Sequence, residues 1–256
     1  MNVICMIPAR FNSSRFPGKL LAKALGKTVL QRTFEQAKNC AIFSKVCVAT
    51  DHELIAKHVE ELGGEVIWTS SSCPNGTQRL IEALKKTPEL QQADIVLNLQ
   101  GDHPCTSPDS MEAVVRLLKK DRKAAMSTAA IPLKNVHHFL SPHVVKCVFD
   151  QDQNALYFSR APIPYCREGV PSRAYHHLGL YAYRTSFLLS SLKETLTPLQ
   201  LQEDLEQLNI LEKGLRIKIA LVNDSPFGVD TPEDLISLED YLRNARDESS
   251  KLFNKI

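Results

Sequence analysis

Arg10, Arg15 and Lys19 lie within one short stretch, Ile7 to Lys19, among Pro8, Pro17, Gly18 and the hydroxyls of Ser13 and Ser14. Proline restricts a backbone and glycine allows close approach or positive φ. Three cations on such a loop can surround a ligand dense in negative charge, most simply a triphosphate. A solvated polar turn has the same composition, and the loop alone leaves both open. Asp102 supplies a complement, in Gln100-Gly101-Asp102-His103-Pro104 directly after the apolar run Ile95 to Leu99. A carboxylate at the end of a buried strand suits a hard cation such as Mg²⁺, which is often held by one or two carboxylates plus phosphate oxygens. Asp230 stands before Thr231-Pro232, where a single acid reads as helix-start electrostatics. Together with Asp102 and the cationic loop, it reads better as a second metal carboxylate.

Other polar groups are less constrained by position alone. Thr77 and Arg79, in Asn75-Gly76-Thr77-Gln78-Arg79, sit in a turn that starts a helix, with Thr77 a possible cap. Arg79 can be solvated there or can reach a nucleotide. Arg160, His176 and His177 are cationic or polar groups suited to an acidic sugar, although a single histidine is more often structural. Glu203, Glu206 and Gln207 share one face of an expected helix, able to bind a polyol or simply to be solvated. Leu20 follows Lys19, so Gly18-Lys19 lacks the Ser/Thr of a P-loop, and neither GxGxxG nor GxSxG follows a strand.

The elements that must position these residues alternate. Val3 to Ile7, Lys45 to Ala49, Val66 to Trp68, Ile95 to Leu99 and Ala125 to Ile131 read as strands. Between them lie helical patterns: Leu30, Phe34 and Ala37 after a Thr28 cap; Leu54, Ile55, His58, Val59 and Leu62 before Gly63-Gly64; Leu80, Ile81 and Leu84; Met111, Val114, Val115 and Leu118. This predicts an α/β fold with a mostly parallel sheet covered by helices on both faces, binding ligands at the carboxyl ends of its strands. From about Pro132 to Tyr183 the pattern turns antiparallel, with a hairpin across Asp150 to Asn154 and a last strand at Leu178 to Tyr183. It reads as an antiparallel insertion or sheet extension of a single domain spanning residues 1–256. A helix from Thr197 to Gly214, a strand at Arg216 to Val222 and a final helix opened by Thr231-Pro232, with Asp234 at a capping-box position, complete the chain.

With 43% hydrophobic residues, 23% charged residues and a formal net charge of +2, the composition is that of a soluble globular protein. No dense basic block points to nucleic acid, no apolar run approaches a membrane span, and no secretory signal opens the chain, so a cytoplasmic protein is expected. The seven cysteines form no CxxC pair and read as structural thiols.

The motifs taken in order resemble the 3-deoxy-manno-octulosonate (Kdo) cytidylyltransferases: Pro8-Ala9-Arg10 through Pro17-Gly18-Lys19, Ala49-Thr50-Asp51, Gly76-Thr77 with Arg79, Gln100-Gly101-Asp102, Tyr157-Phe158-Ser159-Arg160, His177-Leu178-Gly179, Leu205-Glu206-Gln207-Leu208 and Val229-Asp230-Thr231-Pro232-Glu233-Asp234. The resemblance implies a Rossmann-like nucleotide-sugar transferase fold in a homodimer. It also implies an enzyme joining CTP and Kdo to give CMP-Kdo and pyrophosphate for lipopolysaccharide synthesis, with Mg²⁺ as cofactor. Carried over, Arg10, Arg15 and Lys19 would hold the triphosphate, with Ala9, Thr77 and Arg79 around the nucleotide. Asp102 and Asp230 would hold the metal and, with those three cations, form the catalytic set. Gln100, Arg160, His177, Glu203, Glu206 and Gln207 would receive Kdo. The chain departs from that family's common pattern at His103 and Gln78, each in place of Glu, at His176 in place of a basic residue, and at Asn209 in place of Arg.

Overall fold

The first strand shows how the core is divided. In β1 (Val3–Ala9) every residue is buried. Val3, Cys5 and Ile7 join one apolar cluster, whereas Ile4 and Met6 join another. This is the period of two that a strand covered on both faces requires.

The computed structural model describes residues 1–167, 173–190, 196–224 and 227–253, with side chains through 245. After β1, a ribbon of β2 (Lys23–Ala24) and β3 (Lys27–Thr28) leads into α1 (Val29–Lys38), β4 (Lys45–Thr50), α2 (Glu53–Glu61), β5 (Glu65–Trp68), α3 (Gly76–Lys86), β6 (Ile95–Leu99), α4 (Pro108–Lys120) and β7 (Ala124–Pro132). The second half holds α5 (Val136–Leu140), β8 (Lys146–Phe149), β9 (Ala155–Ser159), β10 (Tyr175–Arg184), α6 (Thr185–Ser190), α7 (Pro198–Glu203), α8 (Leu208–Glu212), β11 (Arg216–Leu221) and α9 (Pro232–Phe253). Among the described residues no helix is long and apolar enough to cross a membrane.

The sheet runs β11-β7-β10-β6-β1-β4-β5, with the β8–β9 hairpin attached to β10. Its neighbours are parallel except at β10, which is antiparallel to both β6 and β7. Helices cover both faces. Leu30 and Phe34 of α1, Ile55 of α2, Met111 and Val114 of α4 and Leu238 of α9 belong to one cluster. Leu80 and Leu84 of α3, Phe187 of α6 and Leu208 of α8 belong to the other. The expected mostly parallel α/β sheet is therefore present.

The antiparallel region from 132 to 183 takes the sheet-extension form, with its last strand, β10, inside the main sheet and the β8–β9 hairpin attached to it; residues 168–172 of this region lie outside the described residues. Three local expectations need correction. The helix expected from Thr197 to Gly214 is two short helices broken at Asp204, whose φ of 52° is left-handed. The break lets Leu205 and Leu208 enter the core while Leu201 faces solvent. Leu54 is likewise exposed, leaving Ile55 and Val59 to hold α2. The cap of α3 is Asn75, whose Oδ1 accepts from Gln78 N, so Thr77 sits buried inside the first turn. Thr28 does cap α1, and Asp234 and Thr231 form a reciprocal capping box at α9.

Gly64 shows how tightly α1 and α2 meet the sheet. A Cβ there would lie 2.7 Å from Val59 Cγ1 and 2.8 Å from Phe34 Cζ. Gly64→Ala should lower stability by about 1–3 kcal/mol through overpacking, read as a lower urea midpoint; an unchanged midpoint would show that this junction yields freely.

Candidate active site

The cationic loop is folded against itself before it meets anything else. Gly18 takes φ of 72°, and its N–H donates to the Phe11 carbonyl at 3.0 Å. Phe11 in turn stacks on His52 at 4.1 Å between ring centroids. Lys19 follows in a short 3₁₀ turn, Lys19–Leu21, beside the carboxyl end of β1. Because β1 pairs in parallel with β6, the loop after β6 opens at the same edge. Gly101 lets the two loops approach, since a Cβ there would sit 3.2 Å from the Pro8 carbonyl oxygen. The Asp102 carbonyl accepts from Val229 N at 3.0 Å, which draws in the segment before α9. Asp234 then accepts from the N–H groups of Asp230 and Thr231, both at 2.9 Å, and fixes the Asp230 backbone.

These constraints bring four charges together. Lys19 Nζ donates to Asp102 Oδ2 at 2.5 Å and to Asp230 Oδ1 at 2.8 Å, while Arg15 lies 2.9 Å from Asp230 Oδ2. The Lys19 side chain is only 11% exposed. Burial works against its charge, but Asp102 and then Asp230 outweigh that effect and raise its pKa. Burial likewise opposes ionisation of Asp230, yet hydrogen bonding and charge from Lys19, with Arg15, hold its pKa below the ordinary value. Asp230 is thus favoured in its ionised form, and both carboxylates are aimed at one point, the Lys19 ammonium.

Two cavities open on either side of this cluster. The smaller, about 270 Å³, is lined by Ala9, Arg10, Arg15, Lys19, Asn75, Gly76, Arg79, Gln100, Asp102, Glu206 and Asp230. The larger, about 690 Å³, is lined by His103, His176, His177, Gly179, Tyr181, Gln207, Phe227 and Asp230, among others. Arg15 and Asp230 belong to both walls. A small chamber lined by Arg10, Arg15, Lys19 and Arg79 therefore meets a larger polar one at Arg15 and Asp230.

The remaining sequence candidates divide into those on these walls and those behind them. Arg79 is buried and held by Thr69 Oγ1 at 2.6 Å and Asp51 at 3.3 Å. Gln100 faces the smaller cavity and donates to Asn98. Thr77 lies behind that wall, hydrogen-bonded to Glu206 and Tyr183. Glu206 is reached from this side, with burial raising its pKa against the bond from Thr77. His177 faces the larger cavity from β10. Thr128 Oγ1 donates to the Leu180 carbonyl at 2.8 Å, so His177 Nε2, 2.9 Å away, must donate to it. The other ring nitrogen then accepts from Gln207 Nε2 at 3.5 Å.

Arg160 and Glu203 line neither cavity. Arg160 Nε donates to the Glu203 carbonyl at 2.7 Å and its guanidinium also reaches the Pro142 and Asp204 carbonyls. Glu203 accepts from Ser159 Oγ at 2.6 Å and Arg160 N at 2.8 Å. With the helix broken at Asp204, Glu203, Glu206 and Gln207 do not form one face. Three supports escaped the reading from residue types. Asp51 and Thr69 hold Arg79, Thr128 holds His177, and buried Lys146 donates to the carbonyls of Ser141, Val144 and Arg160 at 2.8, 2.6 and 2.5 Å. Asp51 alone carried a signal, its place at the carboxyl end of β4.

The family model described as Cytidylyltransferase matches residues 4–218. A 3-deoxy-manno-octulosonate cytidylyltransferase of Protochlamydia amoebophila is 47% identical over 243 residues, covering 94% of each chain. The chain belongs to this family. The enzyme of the same description from Geobacter metallireducens is 42% identical, over 92% of this chain and 95% of its own. A solved CMP:2-keto-3-deoxy-manno-octonic acid synthetase complexed with CTP superposes with a TM-score of 0.89 at 34% identity, over 96% of this chain and 100% of that one. In this member of the 3-deoxy-manno-octulosonate cytidylyltransferases, Arg15 and Lys19 of the cationic loop form one cluster with both aspartates.

The buried histidines make the larger cavity sensitive to acid. Burial lowers the pKa of His176 to about 4 and that of His177 to about 3. The unfolded chain takes up those protons near pH 6.5, so stability falls as pH drops from there towards the folded values. His177→Gln should flatten the stability–pH slope between pH 6.5 and 5 by up to about 1.4 kcal/mol per pH unit, measured by urea denaturation at several pH values. A slope identical to the parent's would mean that His177 takes up its proton alike in the folded and unfolded chains.

Proposed function

We propose that this chain transfers the cytidylyl group of CTP to Kdo, giving CMP-Kdo and pyrophosphate. The carrying observation is the junction of two cavities at Arg15 and Asp230. A triphosphate in the smaller cavity and an acid sugar in the larger would meet beside the paired carboxylates. The family relationship and the likeness to a CTP-bound synthetase support these two substrates.

The reaction needs alignment and charge neutralisation more than a covalent nucleophile. Arg10, Arg15 and Lys19 would grip the triphosphate, with Ala9 and Arg79 beside the nucleotide and Thr77 supporting that wall through Glu206. His177 and Gln207, with Gln100 reaching across from the smaller cavity's wall beside Gly179, would orient Kdo so that its anomeric hydroxyl faces the α-phosphate in line with the leaving pyrophosphate. Lys19 and Arg15 would steady the charge that grows on the leaving group. Arg160 and Glu203 would serve the sugar side by bracing its surrounding loops. Asp102 and Asp230 fit a metal site, because both already reach one ammonium within 2.5 and 2.8 Å through oxygen donors alone. They would hold Mg²⁺, which neutralises phosphate charge and polarises the α-phosphate when bound.

The same reading places the enzyme in the cytoplasm, in lipopolysaccharide synthesis, as one domain over residues 1–256 with its antiparallel region at about 132–183 pairing two copies. Exposed Leu140, Leu156 and Tyr165 in that region support an apolar contact. Light scattering at working concentration should give a dimer; a monomer would remove this element.

A panel of acid sugars with CTP, scored by pyrophosphate release, tests the activity. Turnover should occur with Kdo, and turnover with a sialic acid in its place would reassign the substrate. Lys19→Ala should reduce kcat by about 10²–10³-fold if its charge stabilises the leaving group. Asp102→Asn should abolish Mg²⁺-dependent turnover, and a folded Asn variant with the parent's rate would exclude Asp102 as a ligand.

A further inference from the structure

His103 occupies a seat that nothing in the chemistry described above explains. Its backbone is fixed by the turn after β6, where its N–H donates to the Gln100 carbonyl at 3.1 Å. Its ring lies in a slot between two glycines on separate elements. A Cβ on Gly179 would come within 3.2 Å of His103 Cε1, and one on Gly228 within 3.4 Å of Nε2. Gly179 belongs to β10 where its register against β7 shifts between Leu178 and Tyr181. Gly228 precedes Asp230 in the segment drawn in by Asp102.

The slot holds the ring at the chemical junction. His103 lines the larger cavity, and its Nε2 is 3.8 Å from Asp102 Oδ1, beyond hydrogen-bond range. Its side chain is 26% exposed, and among the described residues its ring makes no hydrogen bond. A partly buried imidazole with an unused donor, locked by two bare glycines on the sugar side of the carboxylates, is built to meet a ligand oxygen.

We propose that His103 is a direct, specificity-determining contact for the acid sugar, donating a ring N–H to one of its oxygens, and that Gly179 and Gly228 are bare to seat that ring. This rests on the proposed function, since it takes the larger cavity as the sugar site. A carboxylate at this position could only accept hydrogen bonds, so an imidazole changes which oxygen arrangement the cavity selects. His103 would act on sugar binding and placement, while the triphosphate grip on the other side of Asp102 would not depend on it.

The test is steady-state kinetics with CTP and Kdo on the parent, His103→Ala, His103→Gln, Gly179→Ala and the His103→Ala/Gly179→Ala double variant. Loss of one substrate hydrogen bond should raise the Kdo KM of His103→Ala about 10-fold, with the CTP KM within about twofold of the parent's. His103→Gln, which keeps an N–H donor, should recover part of that loss. Gly179→Ala should raise the Kdo KM by displacing the ring, and the double variant should be no worse than His103→Ala alone. An unchanged Kdo KM in His103→Ala, an equal rise in both KM values, or additive losses in the double variant would each overturn the assignment. If the Gly179 variants do not fold, the His103→Ala and His103→Gln pair decides by the same split. Absence of turnover by the parent on Kdo would instead overturn the proposed function, separately from the His103 comparison.

Discussion

Two carboxylates brought side by side in a partly buried cleft need a cation between them to offset their repulsion. Lys19 meets that constraint here, bonded at once to Asp102 and Asp230, which are 83 and 211 residues away in the chain. An ammonium is a compact cation whose donors can turn to several acceptors. It satisfies both carboxylates in this chain, and under the proposed function it would turn to a phosphate when a ligand brings its own charge.

The rest of the architecture can be read as what keeps those three residues in register. Parallel pairing of β1 and β6 puts their following loops side by side, and Gly101 allows the backbones to close. The Val229 to Asp102 backbone bond brings in the third loop. The Asp234 cap of α9 settles Asp230 through two backbone N–H groups. Each link is local and ordinary. Their convergence produces a site whose charges come from opposite ends of the chain.

Much of this was legible in the sequence because it depended on periodicity and edge rules. The buried strands, the Thr28 and Asp234 caps, and the placing of Lys19 and Asp102 at one sheet edge followed from residue pattern. Where reading failed, tertiary packing had overridden local preference. The apolar spacing of Leu201, Leu205 and Leu208 suits one helix, but burying Leu205 and Leu208 together required a left-handed break at Asp204. That break separates Glu203 from Glu206 and Gln207. For β10 the sequence left insertion and sheet extension both open, and its apolar residues on both faces let it complete the interior of the sheet. Arg160 offered a charge suited to an acid sugar, but its geometry is fixed by backbone carbonyls that no sequence pattern reveals.

The difference between the two cavities explains why one was easier to foresee. The smaller is made of formal charges, and residue type alone announces a charge. The larger is shaped by buried polar groups whose partners are mostly backbone or neutral side chains. Burial lowers the pKa of Lys146, whose ammonium nevertheless bonds three carbonyls and so ties the Ser141 to Val145 loop to Arg160. Thr128 orients a neutral His177 from the neighbouring strand. Leaving any of these groups without its partner would carry a desolvation penalty of about 1–3 kcal/mol, so each bond makes the loop arrangement more determinate. The wall of the larger cavity thus gains its shape from satisfied polar contacts across distant strands, and those contacts exist only once the sheet has formed.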